Sequence, residues 1–210
     1  MPSKTREKLI EVARQLFAHK GIENTTMSDI ASASYKGRRT IYTYFKNKRE
    51  IYNAVIESES EQLVSQLRDI ASADLTPIEK LQRFIDVRLD IVEETVSRQH
   101  DTPMFRTLFL REVRRMERIR KAAIEKELEL LQQILSDGIK DGCFVSEKAH
   151  GVYSVMLMLF QGIELSYMRD NFDQMNVNQA ALRQQTKQFI SDALCTPVDI
   201  GQKKSSDRNS

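Results

Sequence analysis

The segment from Tyr35 to Arg49, YKGRRTIYTYFKNKR, is strongly basic. It contains six Lys and Arg side chains, no Asp or Glu, and aromatic residues spaced between the cations. Positive charge concentrated in one short segment is typical of a surface that binds a polyanion such as nucleic acid. The alternative interpretation is a solvated surface without a partner. The secondary structure predicted for this segment distinguishes between the two interpretations.

The charge of the whole chain is unevenly distributed. The net charge is only +2 over 210 residues, but residues 1–50 carry eleven Lys and Arg against five Asp and Glu. These residues therefore have a net charge of +6, which leaves −4 for the remainder. A basic N-terminal module on a mildly acidic body predicts that the two parts have different partners.

Three short helices are predicted around the basic segment. Apolar residues recur at helical spacing over about 4–20, and Gly21 suits the left-handed conformation that often ends a helix. Thr26 begins a capping-box pattern, which predicts a second helix over about 27–34. A third helix over about 38–45 follows a tight turn that contains glycine. The second and third helices together match the helix-turn-helix pattern.

The third helix has one face suited to reading DNA. If Ile41 and Phe45 face inward, the turn of about 100° per residue places Arg39, Thr43 and Lys46 on the opposite side. Arg can donate two hydrogen bonds to guanine in the major groove, and Thr can contact a thymine methyl group. A rigid helix fits this groove better than the narrow groove of A-form RNA. Hydroxyl and ammonium groups near the element ends suit phosphate oxygens, and the candidates for this role are Thr26, Tyr42, Tyr44, Lys46 and Lys48.

The remainder of the chain is predicted to be almost entirely helical, because the whole chain has only 7 Gly and 4 Pro and no alternating strand pattern. Further helices are predicted from about 48, over about 77–98, from 103, in a charged segment that ends at 141–142, and over about 147–169 and 177–194. The predicted fold is all-α, with about nine helices. We expect a helix-turn-helix DNA-binding domain over 1–47, a larger helical domain over 48–195, and a disordered tail over 196–210.

Several other classes of protein are disfavoured by the sequence. The three His are scattered, and no Ser/His/Asp set, paired carboxylates or Gly-rich phosphate loop indicates an enzyme. Cys143 and Cys195 lack the spacing of a metal site, so neither a metal nor a cofactor is expected. The longest strongly apolar run, Val155 to Phe160, is too short to cross a bilayer. Without a signal segment, the chain is expected to be cytoplasmic, with no membrane partner.

The N-terminal quarter of the chain resembles the TetR family of bacterial transcriptional regulators. The shared segments are LIEVARQLFAHKG, TTMSDIA and TIYTYFKNK, in the order and spacing of the family. The turn departs from the family pattern. The family usually has Ala-Gly-Val-Ser, a variable residue and Gly-Thr, where this chain has SYKGRRT over 34–40. The turn therefore lacks its usual Gly and its usual buried aliphatic residue, which affects turn geometry and operator sequence rather than DNA binding itself.

The resemblance assigns roles to individual residues. It implies that Thr26, Tyr42, Tyr44 and Lys48 contact the DNA backbone, that Arg39, Thr40 and Thr43 reach bases, and that Arg38 could do either. Members of the family are homodimers whose C-terminal helices bind a small effector, and binding changes the spacing of the two DNA-reading domains. For this chain the resemblance implies double-stranded operator DNA, a second copy of the chain and an unidentified small-molecule effector as partners.

The body offers candidates for an interface and a pocket. Its last two helices have apolar stripes that could pair in a dimer or could belong to the core of one chain, and the interface candidates are Val152, Val155, Leu159, Ile163, Leu182, Thr186, Phe189 and Ile190. Candidates for the lining of a pocket, which could equally be ordinary core, are Phe84, Arg88, Ile91, Phe105, Phe109, Met156 and Phe160. The Arg-rich run from Arg111 to Lys121 is matched by nearby Glu residues, including Glu125 and Glu127. That pattern predicts a salt-bridged surface, with a second anion site as the alternative.

Two functional hypotheses follow from these patterns. The first is a homodimeric repressor that a small-molecule effector releases from a palindromic operator. The second is a helical DNA-binding regulator without a small-molecule pocket, controlled by a protein partner or acting architecturally.

Overall fold

The computed structural model describes residues 4–97, 103–169 and 171–195, while the side chains of 94–114 and 168 lie outside the description. The described residues form eight helices and no strand. The helices are α1 (Lys4–Lys20), α2 (Met27–Ala33), α3 (Arg38–Tyr44), α4 (Lys48–Ser72), α5 (Pro77–Ser97), α6 (Pro103–Lys140), α7 (Ser146–Arg169) and α8 (Gln179–Leu194). The all-α prediction is therefore confirmed.

Local signals in the sequence determine where the first helices begin and end. Gly21 follows α1 with a φ of 79°, the left-handed conformation expected of a residue after a helix. Thr26 caps α2 by accepting a hydrogen bond of 3.1 Å from the Asp29 amide, and Asp29 accepts one of 2.8 Å from the Thr26 amide. The predicted capping box is therefore present. Lys20 adds an ion pair of 2.8 Å to Asp29, which joins the end of α1 to the start of α2.

The apolar residues form two separate cores. The first joins α1, α2, α3 and the start of α4, and its fully buried members include Leu9, Ile30, Ile41 and Ile51. The second lies between the remainder of α4 and helices α5 to α8. Because α4 supplies buried residues to both cores, it is shared between the N-terminal head (α1 to α3 and the first two turns of α4) and the body.

The prediction of about nine helices is wrong by one for the described residues. The segment starting at 103 and the charged segment after it form a single helix, α6, of 38 residues. Its length is about 57 Å at 1.5 Å per residue. No Gly or Pro occurs between Met104 and Asp137, so nothing in the backbone interrupts the helix. The predicted boundaries of the other helices agree with the structure to within two residues, and the predicted disordered tail lies outside the described residues.

The turn after α6 is fixed by a close contact. The aromatic ring of Phe144 lies over Gly138, where an added Cβ atom would come within 2.1 Å of the ring. The Phe144 amide also donates a 3.0 Å hydrogen bond to the Gly138 carbonyl. Gly142, with a φ of 72°, completes the reversal of the chain before α7. In the described part of the chain, none of the helices is long and apolar enough to cross a membrane.

Candidate nucleic-acid interface and body cluster

The exposed face of α3 contains the cations predicted to read DNA. Ile41 is fully buried in the core of the head and Phe45 is nearly so. On the other side of the helix, the side chains of Arg38, Arg39 and Thr43 are exposed. Within the described residues, neither arginine has an ion-pair partner, so both guanidinium groups are available to an incoming partner.

The hydroxyl groups assigned to phosphate lie around this face. Tyr42 is 46% exposed, Thr26 is exposed at the N-terminus of α2, and Tyr44 is half-buried against the core. The Thr26 oxygen already accepts the capping hydrogen bond, which leaves its O–H free to donate to a phosphate oxygen.

The threonines of α3 differ from Thr26. Thr43 donates its hydroxyl to the Arg39 carbonyl at 3.1 Å, so its methyl group and lone pairs remain for DNA. Thr40 is partly exposed on the flank of the helix.

The two lysines assigned to phosphate differ in their surroundings. Lys46 is exposed beyond the end of α3. Lys48, at the start of α4, donates to the carbonyls of Ile22 and Glu23 at 2.6 and 3.1 Å. These bonds hold α4 against the turn between α1 and α2. An ammonium has three N–H donors, so Lys48 has one left for a phosphate oxygen.

The turn before α3 has an unusual backbone. Tyr35 has a φ of 56°, in the left-handed region, and its side chain is 89% exposed. The Lys36 amide donates to the Ala31 carbonyl at 2.9 Å and the Tyr35 amide to the Ser32 carbonyl at 3.0 Å. This is the Schellman pattern at the end of α2, with Tyr35 at the position that is usually glycine. The sequence shows that the usual Gly is missing here, but the left-handed conformation of Tyr35 was not predicted from it.

The predicted pocket residues divide into two groups. Phe84, Met156 and Phe160 are buried together with Arg88, and Ile91 is partly buried beside this core. The rings of Phe84 and Phe160 lie 6.4 Å apart, and the Arg88 guanidinium carbon is 6.0 Å from the centre of the Phe160 ring. The backbone of Phe105 and Phe109 is part of α6, but the side chains of both lie outside the described residues.

Four charged residues meet beside this apolar cluster. Arg88 of α5 pairs with Glu127 of α6 at 3.2 Å and with Glu164 of α7 at 3.1 Å. Arg120 of α6 pairs with the same two carboxylates at 3.6 and 3.3 Å. These residues, called the ion-pair quartet below, have side chains between 6% and 21% exposed and a formal net charge of zero.

The quartet corrects the prediction that the Arg-rich run forms a salt-bridged surface. Lys121 and Glu125 do form a surface pair, at 3.9 Å. Arg120 and Glu127, however, face the interior, because this side of α6 packs against α5 and α7. A periodic signal was present: both residues lie on the same helical stripe as the buried Met116 and Leu131.

Some hydrogen-bonding capacity of the quartet is unused. Arg88 Nη1, Arg120 Nη2 and Glu127 Oε1 are buried atoms without a hydrogen-bond partner in the described part of the chain. The last two face each other at 3.6 Å, which is too long for a hydrogen bond. Buried polar atoms are nearly always satisfied in folded proteins, so this concentration of three at one place marks a candidate binding site.

A second ion-pair network joins α5 to α8. Arg183 pairs with Asp90 at 2.7 Å and with Glu93 at 3.2 Å, and Lys187 pairs with Asp86 at 3.0 Å. Tyr167 of α7 donates its hydroxyl to Glu93 at 2.6 Å. Burial of the phenol, together with this hydrogen bond, raises the pKa of Tyr167 to about 12. This network lies nearer the surface than the quartet and secures α8 to the body.

The predicted interface residues differ in exposure. Ile163, Thr186 and Ile190 are buried in the core of the body, and the intermediate group is Val152, Leu159 and Leu182. Val155 is 50% exposed and Phe189 is 58% exposed. Met158, which the sequence analysis did not select, is 65% exposed one turn after Val155 on α7. The apolar surface on the outside of this pair of helices therefore comes mainly from these three side chains.

The described residues form a basic N-terminal head and a separate helical body. Among them, no group of three His, Cys, Asp or Glu side chains is placed to hold a metal ion. The head combines a helix-turn-helix with an exposed basic helix, and the body is a separate helical core. Together they define a helix-turn-helix DNA-binding protein with a second helical domain.

Comparison with known proteins identifies the family. Residues 9–55 match the profile described as bacterial regulatory proteins, tetR family. This match covers α1 from Leu9 onward, all of α2 and α3, and the part of α4 that completes the core of the head. The N-terminal head therefore matches the DNA-binding domain of the TetR family, and the protein is a DNA-binding transcriptional regulator.

Similar proteins include named repressors. The chain is 26% identical over 153 residues to the HTH-type transcriptional repressor KstR2 of Mycolicibacterium smegmatis, in an alignment that covers 68% of this chain and 69% of that protein. It is 32% identical over 97 residues to the probable acrEF/envCD operon repressor of Escherichia coli, covering 46% of this chain and 44% of that protein. These relatives are regulators, in agreement with the prediction that the chain is not an enzyme.

Solved structures share the fold over most of the chain. A transcriptional regulator from Cytophaga hutchinsonii has a TM-score of 0.68 at 20% identity, with 90% of this chain and 98% of that chain covered. FadR from Bacillus subtilis, solved in complex with stearoyl-CoA, has a TM-score of 0.59 at 18% identity, with 89% and 98% covered. At these identities the likeness concerns the fold alone.

Proposed function

We propose that the protein is a homodimeric repressor that a small-molecule effector releases from a palindromic operator. The observation that carries the effector part of the proposal is the ion-pair quartet. A scaffold that only needed stability would be as well served by apolar side chains, because burying charges costs about as much free energy as their pairing returns. The repressor function is supported by the names of the relatives in Mycolicibacterium smegmatis and Escherichia coli.

The exposed face of α7 and α8 supports a dimer. Val155, Met158 and Phe189 are large apolar side chains at least half exposed, and such groups are commonly buried between subunits. Gly151 and Gly162, on the same side of α7, have open space where a side chain would be, so a second helix could approach closely there. Two copies of the head would read two half-sites about one helical turn apart, which is why the operator is expected to be palindromic.

The quartet also constrains the chemistry of the effector. Arg88 Nη1 and Arg120 Nη2 require an acceptor, whereas Glu127 Oε1 requires a donor. Because the four charges already balance, a charged group would leave an uncompensated charge in the interior. An uncharged head group that both donates and accepts, such as a carboxamide or hydroxyl, is the better match. Phe84, Met156 and Phe160 provide an apolar surface for the rest of such a molecule.

Helix α6 connects this region to the head. Arg120 and Glu127 belong to the quartet, and Arg115, less than two turns before Arg120, donates a hydrogen bond to Asn53 of α4. The Arg115 guanidinium also lies 5.7 Å from the centre of the Tyr52 ring, which packs edge-on against Phe17 of the head. A change in the quartet that shifts α6 would therefore move α4, and with it the head.

The test measures DNA release by defined amphiphiles. Duplexes selected from a random library by the protein itself provide an operator, and fluorescence anisotropy then follows binding as octanamide, octanoate or octylammonium is added. We expect octanamide to release the protein at lower concentration than either charged analogue. To reduce operator occupancy a hundredfold, an effector must favour the released state by roughly 3 kcal/mol.

Substitution at the quartet provides the control. Glu127→Gln replaces the unpaired acceptor with an amide and should lower octanamide affinity at least tenfold, whereas Glu125→Gln, on the exposed side of the same helix, should leave it unchanged. If no amphiphile raises the melting temperature or releases DNA, the effector proposal is wrong. Control by a protein partner would then be favoured.

Light scattering tests the dimer separately. Met158→Glu should yield monomers, and an unchanged mass would count against this interface.

A further inference from the structure

Tyr35 adopts a backbone conformation that is unfavourable for tyrosine. Its φ of 56° places it at the left-handed position of the Schellman turn, where glycine avoids the clash between Cβ and the neighbouring carbonyl. A second residue shares this property in the described part of the chain, Asn176 in the body, but asparagine tolerates the conformation comparatively well. A tyrosine here destabilises the fold, and strained residues tend to occur where their side chains have a function.

Packing does not explain the presence of this side chain. Tyr35 is 89% exposed, the highest value among the exposed large hydrophobic residues described. Its contact is with a cation: the Lys8 ammonium of α1 lies 5.5 Å from the centre of the ring. An exposed contact of this kind is weak and would not offset the strain.

The surroundings of Tyr35 match those of a phosphate-binding group. Lys36 follows it directly, and the exposed Arg38 and Arg39 begin α3 two residues later. On α1, Lys8 is next to Tyr35, and Arg6 lies 5.3 Å from the centre of the Phe45 ring at the far end of α3. The N-terminal part of α1 therefore lies near both ends of α3, the recognition helix. A phenolic O–H and an ammonium side by side on such a surface suit the oxygens of one phosphodiester.

We infer that Tyr35 and Lys8 form an additional contact with the DNA backbone, in which the Tyr35 hydroxyl donates to a phosphate oxygen and its ring positions the Lys8 ammonium. The inference rests on DNA binding by the head, but on neither the effector nor the dimer. Such a contact positions the recognition helix without reading sequence, so it acts on any duplex.

The experiment compares stability with affinity, because the proposal predicts opposite signs for the two. Tyr35→Gly relieves the backbone strain and should raise the melting temperature by about 2 to 4 °C. The same variant should bind a random-sequence duplex about 3- to 10-fold more weakly in fluorescence anisotropy. Asn176→Gly is the matched control: it also places glycine at a left-handed position, but in the body, and should leave DNA affinity unchanged.

Two further variants separate the hydroxyl from the lysine. Tyr35→Phe keeps the strain and the ring, and should lose part of the affinity without a gain in stability. Lys8→Ala should reduce the slope of log affinity against log salt by about 0.9, as expected for the loss of one phosphate contact. In the Tyr35→Gly background, Lys8→Ala should have a smaller effect, because the ring no longer positions the ammonium.

The outcomes are distinguishable from failure of the proposed function. If the natural protein binds the random duplex and Tyr35→Gly binds it equally well, with the same salt slope, the backbone contact is wrong while DNA binding stands. If Tyr35→Gly loses affinity but Tyr35→Phe and Lys8→Ala do not, the turn geometry rather than the pair is responsible, which also overturns the inference. A natural protein that binds no duplex overturns both.

Discussion

The head and the body use charged residues in opposite ways. On α3 the charges are of one sign and exposed, and Arg38 and Arg39 have no ion-pair partner within the described residues. In the body, the ion-pair quartet is largely buried and its charges balance. Exposed charges of one sign stay hydrated, so they cost little folding free energy and can bind a partner from solution. Buried paired charges are stable only when every member of the pair is present. The head is therefore organised for an external polyanion and the body for internal balance.

Substitutions in the quartet should change stability most. Glu127→Ala removes one of two carboxylates and leaves Arg88 and Arg120 with excess buried positive charge. We expect a loss of about 3 to 5 kcal/mol in the free energy of unfolding, measured by urea denaturation. Glu125→Ala removes a carboxylate from the surface pair on the same helix and should cost less than about 0.5 kcal/mol. Equal losses for the two variants would contradict the distinction between buried and exposed pairs.

Removing a cation from the head should affect binding rather than stability. Arg39→Ala should weaken operator binding by about 1 to 3 kcal/mol, while binding to random-sequence DNA largely survives. Arg68→Ala, which removes an exposed arginine from the part of α4 in the body, is the control and should change neither. Anisotropy titrations of the operator and of a scrambled duplex provide the measurement. Equal losses on both duplexes would assign Arg39 to the backbone instead of to bases.

Lys48 is predicted to bind DNA phosphate and also makes hydrogen bonds within the fold. Its substitution should therefore affect both DNA binding and stability. Lys48→Ala should weaken operator and scrambled DNA alike and reduce the salt slope by about 1. It should also cost about 1 kcal/mol of stability, since the hydrogen bonds to the Ile22 and Glu23 carbonyls are lost. Lys48→Arg, which keeps the charge, should restore the salt slope. A variant that loses stability but keeps its salt slope would limit Lys48 to a structural role.

The two regions should also differ, by a smaller amount, in how their stability depends on pH. A hydrogen bond from the Lys20 ammonium lowers the pKa of Asp29 to about 2, and hydrogen bonds from Thr26 contribute less to this shift. The folded pKa lies below the ordinary value of 3.8, so the stabilisation is present above pH 3.8 and is lost as the pH falls towards 2. Tyr167 in the body has a raised pKa, so its contribution is present below pH 10 and is lost as the pH rises towards 12.

Paired melting curves of the natural protein, Asp29→Asn and Tyr167→Phe test this contrast. Asp29→Asn should flatten the acid side of the stability profile and leave the alkaline side unchanged, and Tyr167→Phe should do the reverse. An Asp29→Asn profile with an unchanged acid limb would show that other carboxylates dominate there.

The sequence predicted the head more fully than the body, because the signals of the head are local. The capping box at Thr26 and the left-handed Gly21 define helix ends within a few residues, and the confirmed burial of Ile41 and Phe45 defines the face of α3. In the body, the partners of Arg120 are not adjacent in sequence: Glu164 is on another helix. A local pattern of charges therefore predicted a surface where the tertiary structure has an interior.

The prediction for the body was incomplete for a second reason. The same helical stripe could be core or interface, and only the packing of α7 against its neighbours shows that Ile163 is buried while Val155 is exposed. The count of helices failed because a change from apolar to charged composition does not interrupt α6, which has no Gly or Pro between Met104 and Asp137.

The sharing of α4 between two cores also affects how such regulators could be recombined. Ile51, Ala54 and Val55 complete the core of the head, although they lie beyond the predicted domain boundary at 47. A chimaera joined at 47 would separate these residues from their partners in α1 and α3 and leave a poorly packed seam. A junction after Val55, where the family match also ends, would transfer the head intact. Engineered sensors that combine this body with a foreign operator specificity should be assembled there.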